Sequence, residues 1–400
     1  MQSMYEKGVL TFKFGVKDVS GDFLKKFDKK INDQIKANNV KKIVFDMEGV
    51  KRITSAIIRR WLRMQNYGFD IEIINTEKEV ATILAITNLD KIVHVVHKRP
   101  KINTKGLKEI SRGAYGKVYD YSPDEILKVY YGYLGEEQIL RGVQNAKVAF
   151  QHGLPVAIPY ATVDTSEGIG VLFEKVKGKG LSDEIHGNTK IIPQKMKEMV
   201  RLAKHISGTV FQPGELTSIK DLYIDALDPI RRQVPAAYID AYKIAIESMP
   251  DVNTAVHGDL ATVNVLDDGF DLMLVDMDTF SFAHPIWDIA SMYTAHYYVY
   301  LKGNEEETFL YTRMNCNENK QVWEAFEKEY FKGVGKKETQ RRVNAAANFG
   351  LLRAAALYCQ KIDKYDKTNP MHVEFLNYVK PILEMSVMKN LYSMVEIFKT

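Results

Sequence analysis

The first hundred positions change hydrophobic period several times. Val9-Leu10-Thr11-Phe12-Lys13-Phe14 alternates apolar with polar and reads as a strand. Phe23, Leu24, Phe27, Ile31 and Ile35 recur at helical spacing. Lys42 to Met47 reads as a buried strand with a polar exit, and Thr54 to Tyr67 as a helix stopped by Gly68 at a left-handed cap position. Phe69 to Ile74 is a further strand, Glu77 to Ile86 a helix, and Ile92 to Val96 the closing strand. Strands alternating with helices predict an α/β domain over residues 1–97, with a partly parallel sheet flanked by helices. Residues 98–106 (Lys98 to Gly106) are basic, Pro-bearing and aperiodic, and are read as a linker.

From Leu107 the pattern becomes that of a small β-rich lobe, residues 107–176. Ser111-Arg112-Gly113-Ala114-Tyr115-Gly116-Lys117-Val118-Tyr119 lies between two strands, and Glu125 to Tyr130 is the third. A helix is expected from about Gly135 to Gln151, then strands at Leu154 to Pro159 and Ile169 to Glu174. Residues 177–400 are mostly helical. Apolar residues keep helical spacing over Ile192 to Ile206, Ala236 to Met249, Ile286 to Leu301, Asn319 to Phe331, Val343 to Ile362 and Val373 to Phe398, the last interrupted at Pro381.

Inside this helical half stands a different unit, His257-Gly258-Asp259-Leu260-Ala261-Thr262-Val263-Asn264. Val263 to Leu266 and Leu272 to Val275 are short apolar runs on either side of Asp267-Asp268-Gly269, whose residues suit a tight turn. If the runs pair antiparallel, Asn264 enters the first strand beside the point where Asp276 leaves the second. Two oxygen side chains then face one point, with Asp259 on the preceding loop. Such a set suits Mg²⁺ and a nearby hydroxyl awaiting deprotonation.

Composition narrows the class without choosing the chemistry. Four hundred residues, 46% hydrophobic and 26% charged, imply two or three globular domains. The formal charge of +4 is spread along the chain, so no nucleic-acid surface is indicated. No apolar run is long enough to span a bilayer, so no membrane partner is expected. Two cysteines, Cys316 and Cys359, and an N-terminus without a signal-peptide core lead to the expectation of a cytoplasmic protein.

The His257–Asn264 stretch with Asp276 resembles the catalytic loop and metal Asp of kinases. Its His-Gly-Asp opening looks like the aminoglycoside phosphotransferase and choline kinase group, whose Gly-Asp-Pro-x-x-Asp-Leu-Ala stretch is matched here at Pro285, Asp288 and Ala290. The resemblance implies a bilobal α+β protein-kinase-like fold for residues 107–400, with small lobe 107–176 and helical large lobe 177–400. It implies Asp259 as the catalytic residue, Asn264 and Asp276 as Mg²⁺ ligands, and His257 and Asp288 as supports of the catalytic loop. Gly113, Gly116 and Lys128 would bind the phosphates of ATP or another nucleoside triphosphate. Phe173 to Val176 would be the hinge against the base. The acid that kinases place mid-helix to pair with the strand lysine is missing. Glu137, or Glu136, is expected to reach Lys128 in its stead. Asp278 stays open between a further metal or water ligand and a turn role.

Residues 1–97 resemble the STAS domain, the fold of anti-sigma-factor antagonists. The likeness rests on Val44-Phe45-Asp46-Met47-Glu48-Gly49-Val50, on Ile53-Thr54-Ser55-Ala56 and on Leu89-Asp90-Lys91-Ile92-Val93. It implies a regulatory or docking domain with a possible protein partner, and marks Ser55 as a possible phosphorylation site. The residue types alone favour Ser55 as a helix N-cap, the commoner use of such a Ser, and that role does not exclude phosphorylation. Three functions follow as expectations. The first is an ATP- and Mg²⁺-dependent phosphotransferase acting on a small-molecule hydroxyl. The others are a protein Ser/Thr kinase acting on a STAS-domain serine and a non-catalytic nucleotide-binding protein.

Overall fold

The protein is described from a computed structural model covering residues 1–19, 21–89, 92–97, 99–113, 115–132, 134–232, 234–362 and 379–399. Lys98 of the linker, Asp90 and Lys91 of the STAS-like motif, Ala114 of the Gly-rich segment and the first part of the helix expected over Val373 to Phe398 lie outside these residues. The chain divides into two compact units, Met1–Ile102 with Thr162–Asp164, and Asn103–Ala161 with Thr165–Thr400.

The N-terminal unit is built on a five-stranded sheet. Strand Val9–Lys13 runs parallel to Lys42–Asp46, which is parallel to Asp70–Thr76, and that to His94–His97. An edge strand not anticipated from the sequence, Gln2–Glu6, turns back on Val9–Lys13 antiparallel through Lys7 and Gly8, both at positive φ. Helices Gly21–Ala37, Ser55–Asn66 and Lys78–Ile86 fill the crossovers. Strands advancing in one direction with right-handed crossovers place all three on one face. The burial pattern agrees. Leu10, Phe12, Ile43, Phe45, Ile71 and Ile73 are buried with Phe27 and Trp61. On the same-register row Val9–Lys42–Asp70 and Thr11–Val44–Glu72–His94, the polar side chains pair among themselves, with Lys42 to Glu72 at 2.8 Å and His94 to Glu72 at 2.9 Å. Sequence alternation gave the strands, but "flanked" becomes covered on one side.

Gly68 sits at φ +90°, closing the second helix as its position predicts. The cap at the other end is Thr54, not Ser55. The helix begins at Ser55, which is exposed on its first turn. Thr54 holds the N-cap position without a side-chain capping bond, its hydroxyl turned to the Val19 carbonyl at 3.4 Å, so the capping role expected of Ser55 is not filled by a hydroxyl.

The second unit begins with a small-lobe sheet whose strands stand in the order Pro159–Thr165, Gly168–Glu174, Glu125–Tyr130, Gly116–Asp120 and Lys108–Arg112. Leu154 to Pro159 is not a strand as expected. Only Val156 bridges, in parallel, to Leu274, and the strand starts at Pro159. Helix Glu136–Gln151 packs on this lobe through Ile139 and Val143. The large lobe is helical, with Ile192–Gly208, Ala236–Glu247, Ile286–Met292, Cys316–Tyr330 and the long Lys336–Ile362 around one apolar core. Helix Cys316–Tyr330 carries a reciprocal capping box between Asn315 and Glu318. Residues 379–383, with Pro381 among them, are helical, and the part of the expected helix before them lies outside the described residues. No described helix is long and apolar enough to cross a membrane. Cys316 and Cys359 are free and buried.

Candidate active site

Strand Val265–Asp267 pairs antiparallel with Leu272–Leu274, turning at Asp268 and Gly269. Val265 faces Leu274, and the Asn264 carbonyl accepts from the Val275 amide at 3.1 Å. The hairpin thus sets Asn264 and Asp276 beside each other at its mouth. The preceding segment, Thr262–Asn264, is a turn of 3₁₀ helix, and the apolar run that began at Val263 enters the strand two residues later than expected.

The catalytic-loop backbone is held from below. Asp288, buried on helix Ile286–Met292, accepts from the His257 amide through Oδ2 and the Gly258 amide through Oδ1, both at 2.9 Å. Burial pushes its carboxyl up, and these N–H donors pull against that. His257 Nε2 lies 3.0 Å from the Val275 carbonyl, and the Asp259 amide donates to Nδ1 at 3.3 Å. That pattern assigns a neutral ring protonated at Nε2. Gly258 is at φ +82°, and a Cβ there would overlap the Thr279 carbonyl. Only glycine meets both constraints. Two supports were not foreseen. Ser182 and Thr262 share a hydroxyl hydrogen bond of 2.7 Å, and buried His296 accepts from the Thr262 amide at 3.3 Å through Nε2 while Nδ1 faces Asn319 Oδ1 at 2.8 Å.

Lys128, on strand Glu125–Tyr130, crosses from the small lobe. Its Nζ is 2.9 Å from Asp276 Oδ1 and 3.4 Å from Asp278 Oδ2, and 4.7 Å above the Tyr130 ring. Burial alone would lower the Lys128 ammonium, but the two carboxylates raise it well above its usual value. Burial works to raise Asp276, yet Lys128 holds it below the carboxylate range. Asp278 is pushed up to about 7, by burial first and by its neighbour Asp276, against the pull of Lys128. Asp276 is at φ +65°, a left-handed conformation uncommon outside glycine and found where local contacts over-determine it.

The expected partner of Lys128 is corrected here. Glu137 is exposed in the first turn of its helix, while Lys128 engages Asp276 and Asp278. The face that helix Glu136–Gln151 turns to the site shows why. At Gly142 a Cβ would overlap the Asp278 carboxylate, and Asn145 Nδ2 donates to the Met277 carbonyl at 3.1 Å. The acid comes from the large lobe, and the helix makes room for it with glycine.

In the Gly-rich segment the Gly113 amide donates to the Gly116 carbonyl at 2.9 Å, closing the hairpin. Gly113 has open space around it, whereas a Cβ on buried Gly116 would overlap the Val129 carbonyl. Gly116 is thus required by its own sheet. Phe173 packs on the small-lobe cluster and Val176 is half-buried. The amides on either side of that turn are used internally, Glu174 to the Ile158 carbonyl at 2.8 Å and Lys175 to the Asp124 carbonyl at 2.9 Å. Two surface cavities, of ≈ 330 Å³ beside Lys220 and Asp251 and of ≈ 440 Å³ at Glu174 to Lys177, are lined by none of Lys128, Asp259 or Asp276.

The least expected member is Arg353, deep in helix Lys336–Ile362. It donates from Nη2 to Asp259 Oδ1 at 2.5 Å and from Nε to the Gly258 carbonyl at 2.8 Å. Asn264 Nδ2 holds the other side, bonding Asp259 Oδ2 at 3.0 Å and the Asp259 carbonyl at 2.8 Å. The only sequence signal for Arg353 was a cation within an otherwise apolar helical stretch.

The donor set fits a hard dication. Two partly buried carboxylates share one ammonium, and the hairpin backbone brings Asn264 to the same mouth, with its Nδ2 turned to Asp259. Mg²⁺ takes one or two carboxylates and completes its shell with phosphate and water; among the described residues no three His, Cys, Asp or Glu side chains form a metal-holding group.

No protein-family model matches the chain, and no curated protein matches its sequence. Its structure is similar to that of a choline/ethanolamine kinase family protein from Mesorhizobium loti, with TM-score 0.47 and 16% identity, covering 73% of this chain and 93% of that one. It is also similar to the gentamicin complex of APH(2″)-IIa, with TM-score 0.48, 13% identity and coverage of 81% and 99%. For the GDP complex of an aminoglycoside 2′-phosphotransferase-IIIa variant the TM-score is 0.44, with 13% identity and coverage of 78% and 98%. At such scores the likeness assigns nothing by itself, and the residues must carry the reading.

Proposed function

We propose that the protein is an ATP- and Mg²⁺-dependent phosphotransferase that moves the γ-phosphoryl group to a hydroxyl of a small molecule. The observation that carries this is the meeting of Lys128 with Asp276 at 2.9 Å, across two lobes and 148 residues, beside a hairpin with Asn264 at its mouth and Asp259 on the loop before it. Phosphoryl transfer asks for alignment and charge compensation rather than covalent help. Lys128 would meet the α/β-phosphate oxygens, with the backbone near Gly113 and Gly116 over them and Phe173 to Val176 along the base. Asn264 and Asp276, with Asp278 beside them, would hold Mg²⁺, which when bound offsets phosphate charge. The acceptor oxygen forms its bond to the γ-phosphorus as the bond to the β–γ bridging oxygen breaks. Nucleoside diphosphate leaves, and the hydroxyl proton passes to Asp259. Purified protein given γ-labelled ATP, Mg²⁺ and a panel of alcohols is expected to yield a labelled phosphate ester. Nucleotide binding with neither hydrolysis nor transfer would sink the reading.

For the N-terminal unit we propose a STAS-like regulatory or docking role, supported by its mostly parallel sheet with one-sided helices. Ser55, exposed on the first turn of its helix, favours a second reading in which a protein serine is the acceptor. Mass spectrometry after incubation with Mg-ATP decides it. An unmodified Ser55, with no labelled protein partner, removes that reading. A non-catalytic nucleotide-binding role draws on the Asp259–Arg353 pair, and turnover that vanishes in Asp259→Asn removes it.

A further inference from the structure

Asp259 is gripped at both oxygens. Arg353 Nη2 holds Oδ1 and Asn264 Nδ2 holds Oδ2, while Arg353 Nε ties the adjoining Gly258 carbonyl. Arg353 is 7% exposed and comes from a helix 94 residues further along the chain. A buried guanidinium fixed at two points of one loop sets the plane of the carboxylate rather than merely its charge. Tyr223, also buried, and the partly buried Tyr115 of the Gly-rich segment complete the surroundings of this pair.

A second carboxylate is matched in the same way. Asp183 follows Ser182, which bonds Thr262 of the catalytic loop, and pairs with Arg313 at 3.1 Å. Farther along, Lys195 faces Asp267, Glu198 at 3.3 Å and Glu184 at 4.0 Å together. A polycationic acceptor needs an excess of negative charge where it docks. At Asp259 itself the charge is met one for one by Arg353.

We propose that Arg353 is a positioning residue for Asp259, and that the balanced pair sets the acceptor class as a hydroxyl compound without net positive charge. This rests on the phosphotransferase reading above. Arg353 orients Asp259 so that a free lone pair of Oδ2 receives the acceptor hydroxyl. Because the pair is neutral, the acceptor end adds no attraction for cations.

The test uses the full chain with γ-labelled ATP and Mg²⁺, taking water, a neutral sugar alcohol, a hydroxy acid and kanamycin as acceptors. Arg353→Met is expected to lower kcat roughly 10²-fold, as misplacing a reacting group does, with Mg-ATP Kd close to wild type and a lower Tm from the broken buried pair. Arg353→Lys should recover part of that loss. The double variant with Asp259→Asn should be no slower than Asp259→Asn alone, because the two residues act as one unit. A loss that multiplies, or full turnover in Arg353→Met, overturns the positioning role. Kanamycin as the best acceptor overturns the substrate class. A fall in Tm and nucleotide affinity matching the fall in kcat, with Arg353→Lys equally affected, reduces Arg353 to a structural tie and overturns its positioning role. Wild-type protein that turns over no acceptor, water included, overturns this inference together with the phosphotransferase reading. Active wild type with unaffected variants overturns this inference alone.

Discussion

The candidate site treats its carboxylates differently at the proposed acceptor end and at the proposed nucleotide end. At the acceptor end Asp259 meets Arg353 one for one, and Asp259 stays about a third exposed while Arg353 is buried. At the nucleotide end Asp276 and Asp278 share the single ammonium of Lys128, with the Asp276 side chain 30% exposed and those of Lys128 and Asp278 15% and 13%. One end is balanced; at the other, two carboxylates compete for one ammonium, and Asp278 is pushed up to about 7 by burial and by its neighbour Asp276. Perturbations of this kind cluster at functional sites. In the function proposed above, the first end orients and the second receives a cation.

The largest effects should come from removing one carboxylate from each end. Asp276→Ala is expected to abolish Mg²⁺-dependent nucleotide binding and lower turnover by roughly 10³-fold, since a bound metal supplies several kcal/mol of charge stabilisation. Asp259→Asn is expected to lower kcat by roughly 10²-fold or more while Mg-ATP affinity holds. Calorimetric titration of nucleotide with and without Mg²⁺, beside steady-state rates, separates the two. Equal loss of nucleotide affinity in both variants would erase the division of labour.

Next in size is Lys128→Met. It strands two carboxylates with no cation, and removing one partner of a buried charge set costs about 3 kcal/mol. Excess Mg²⁺ should restore more stability to this variant than to wild type, read from urea unfolding with and without the ion. If Mg²⁺ protects both equally, the excess negative charge is not what receives the ion.

Much of this was legible in the chain. The turn residues Asp268 and Gly269 between two short apolar runs fixed the hairpin, and its register follows from length alone. Lys128 was placed because its strand, Glu125–Tyr130, has clear borders. The partners of the charges were not legible. Glu137 was expected at Lys128 because local sequence offers only nearby acids, whereas the actual acids come from 148 and 150 residues away. Arg353 was invisible for the same reason: a helical pattern records which face is apolar, not which distant loop a lone cation meets. The N-terminal sheet showed its strands but missed Gln2–Glu6, whose antiparallel return depends on positive φ at Lys7, a residue that does not advertise a turn.

Gly142→Ala probes the nucleotide end more gently. The added Cβ would overlap the Asp278 carboxylate, and overpacking of this kind costs about 2 kcal/mol. Displacing Asp278 should weaken Mg-nucleotide binding by roughly tenfold, the factor that about 1.4 kcal/mol represents. Thermal unfolding and nucleotide titration check both. A variant as stable and as tight as wild type would mean that Asp278 has room to move and that its position near Lys128 is incidental.

The smallest effect belongs to the acceptor end and depends on pH. His296 is buried, and burial lowers it to about 4 against an ordinary value near 6.5, its bond to Asn319 only partly opposing the shift. The unfolded chain takes up a proton below about pH 6.5, while the folded ring stays neutral until about pH 4. Stability from this group is therefore full above about pH 6.5 and falls as pH drops through that window. Between pH 7 and 5.5 the loss amounts to about 1 kcal/mol. Its neutral Nε2 is what accepts the Thr262 amide, so protonation also removes a support of the loop that carries Asp259 and Asn264. In His296→Gln, which can still accept that amide but does not titrate, the stability difference between pH 7 and pH 5.5 should shrink by about 1 kcal/mol relative to wild type. Urea unfolding of both proteins at the two pH values measures it. An unchanged difference would place the acid sensitivity of the large lobe elsewhere and leave the loop's support at Thr262 to Ser182.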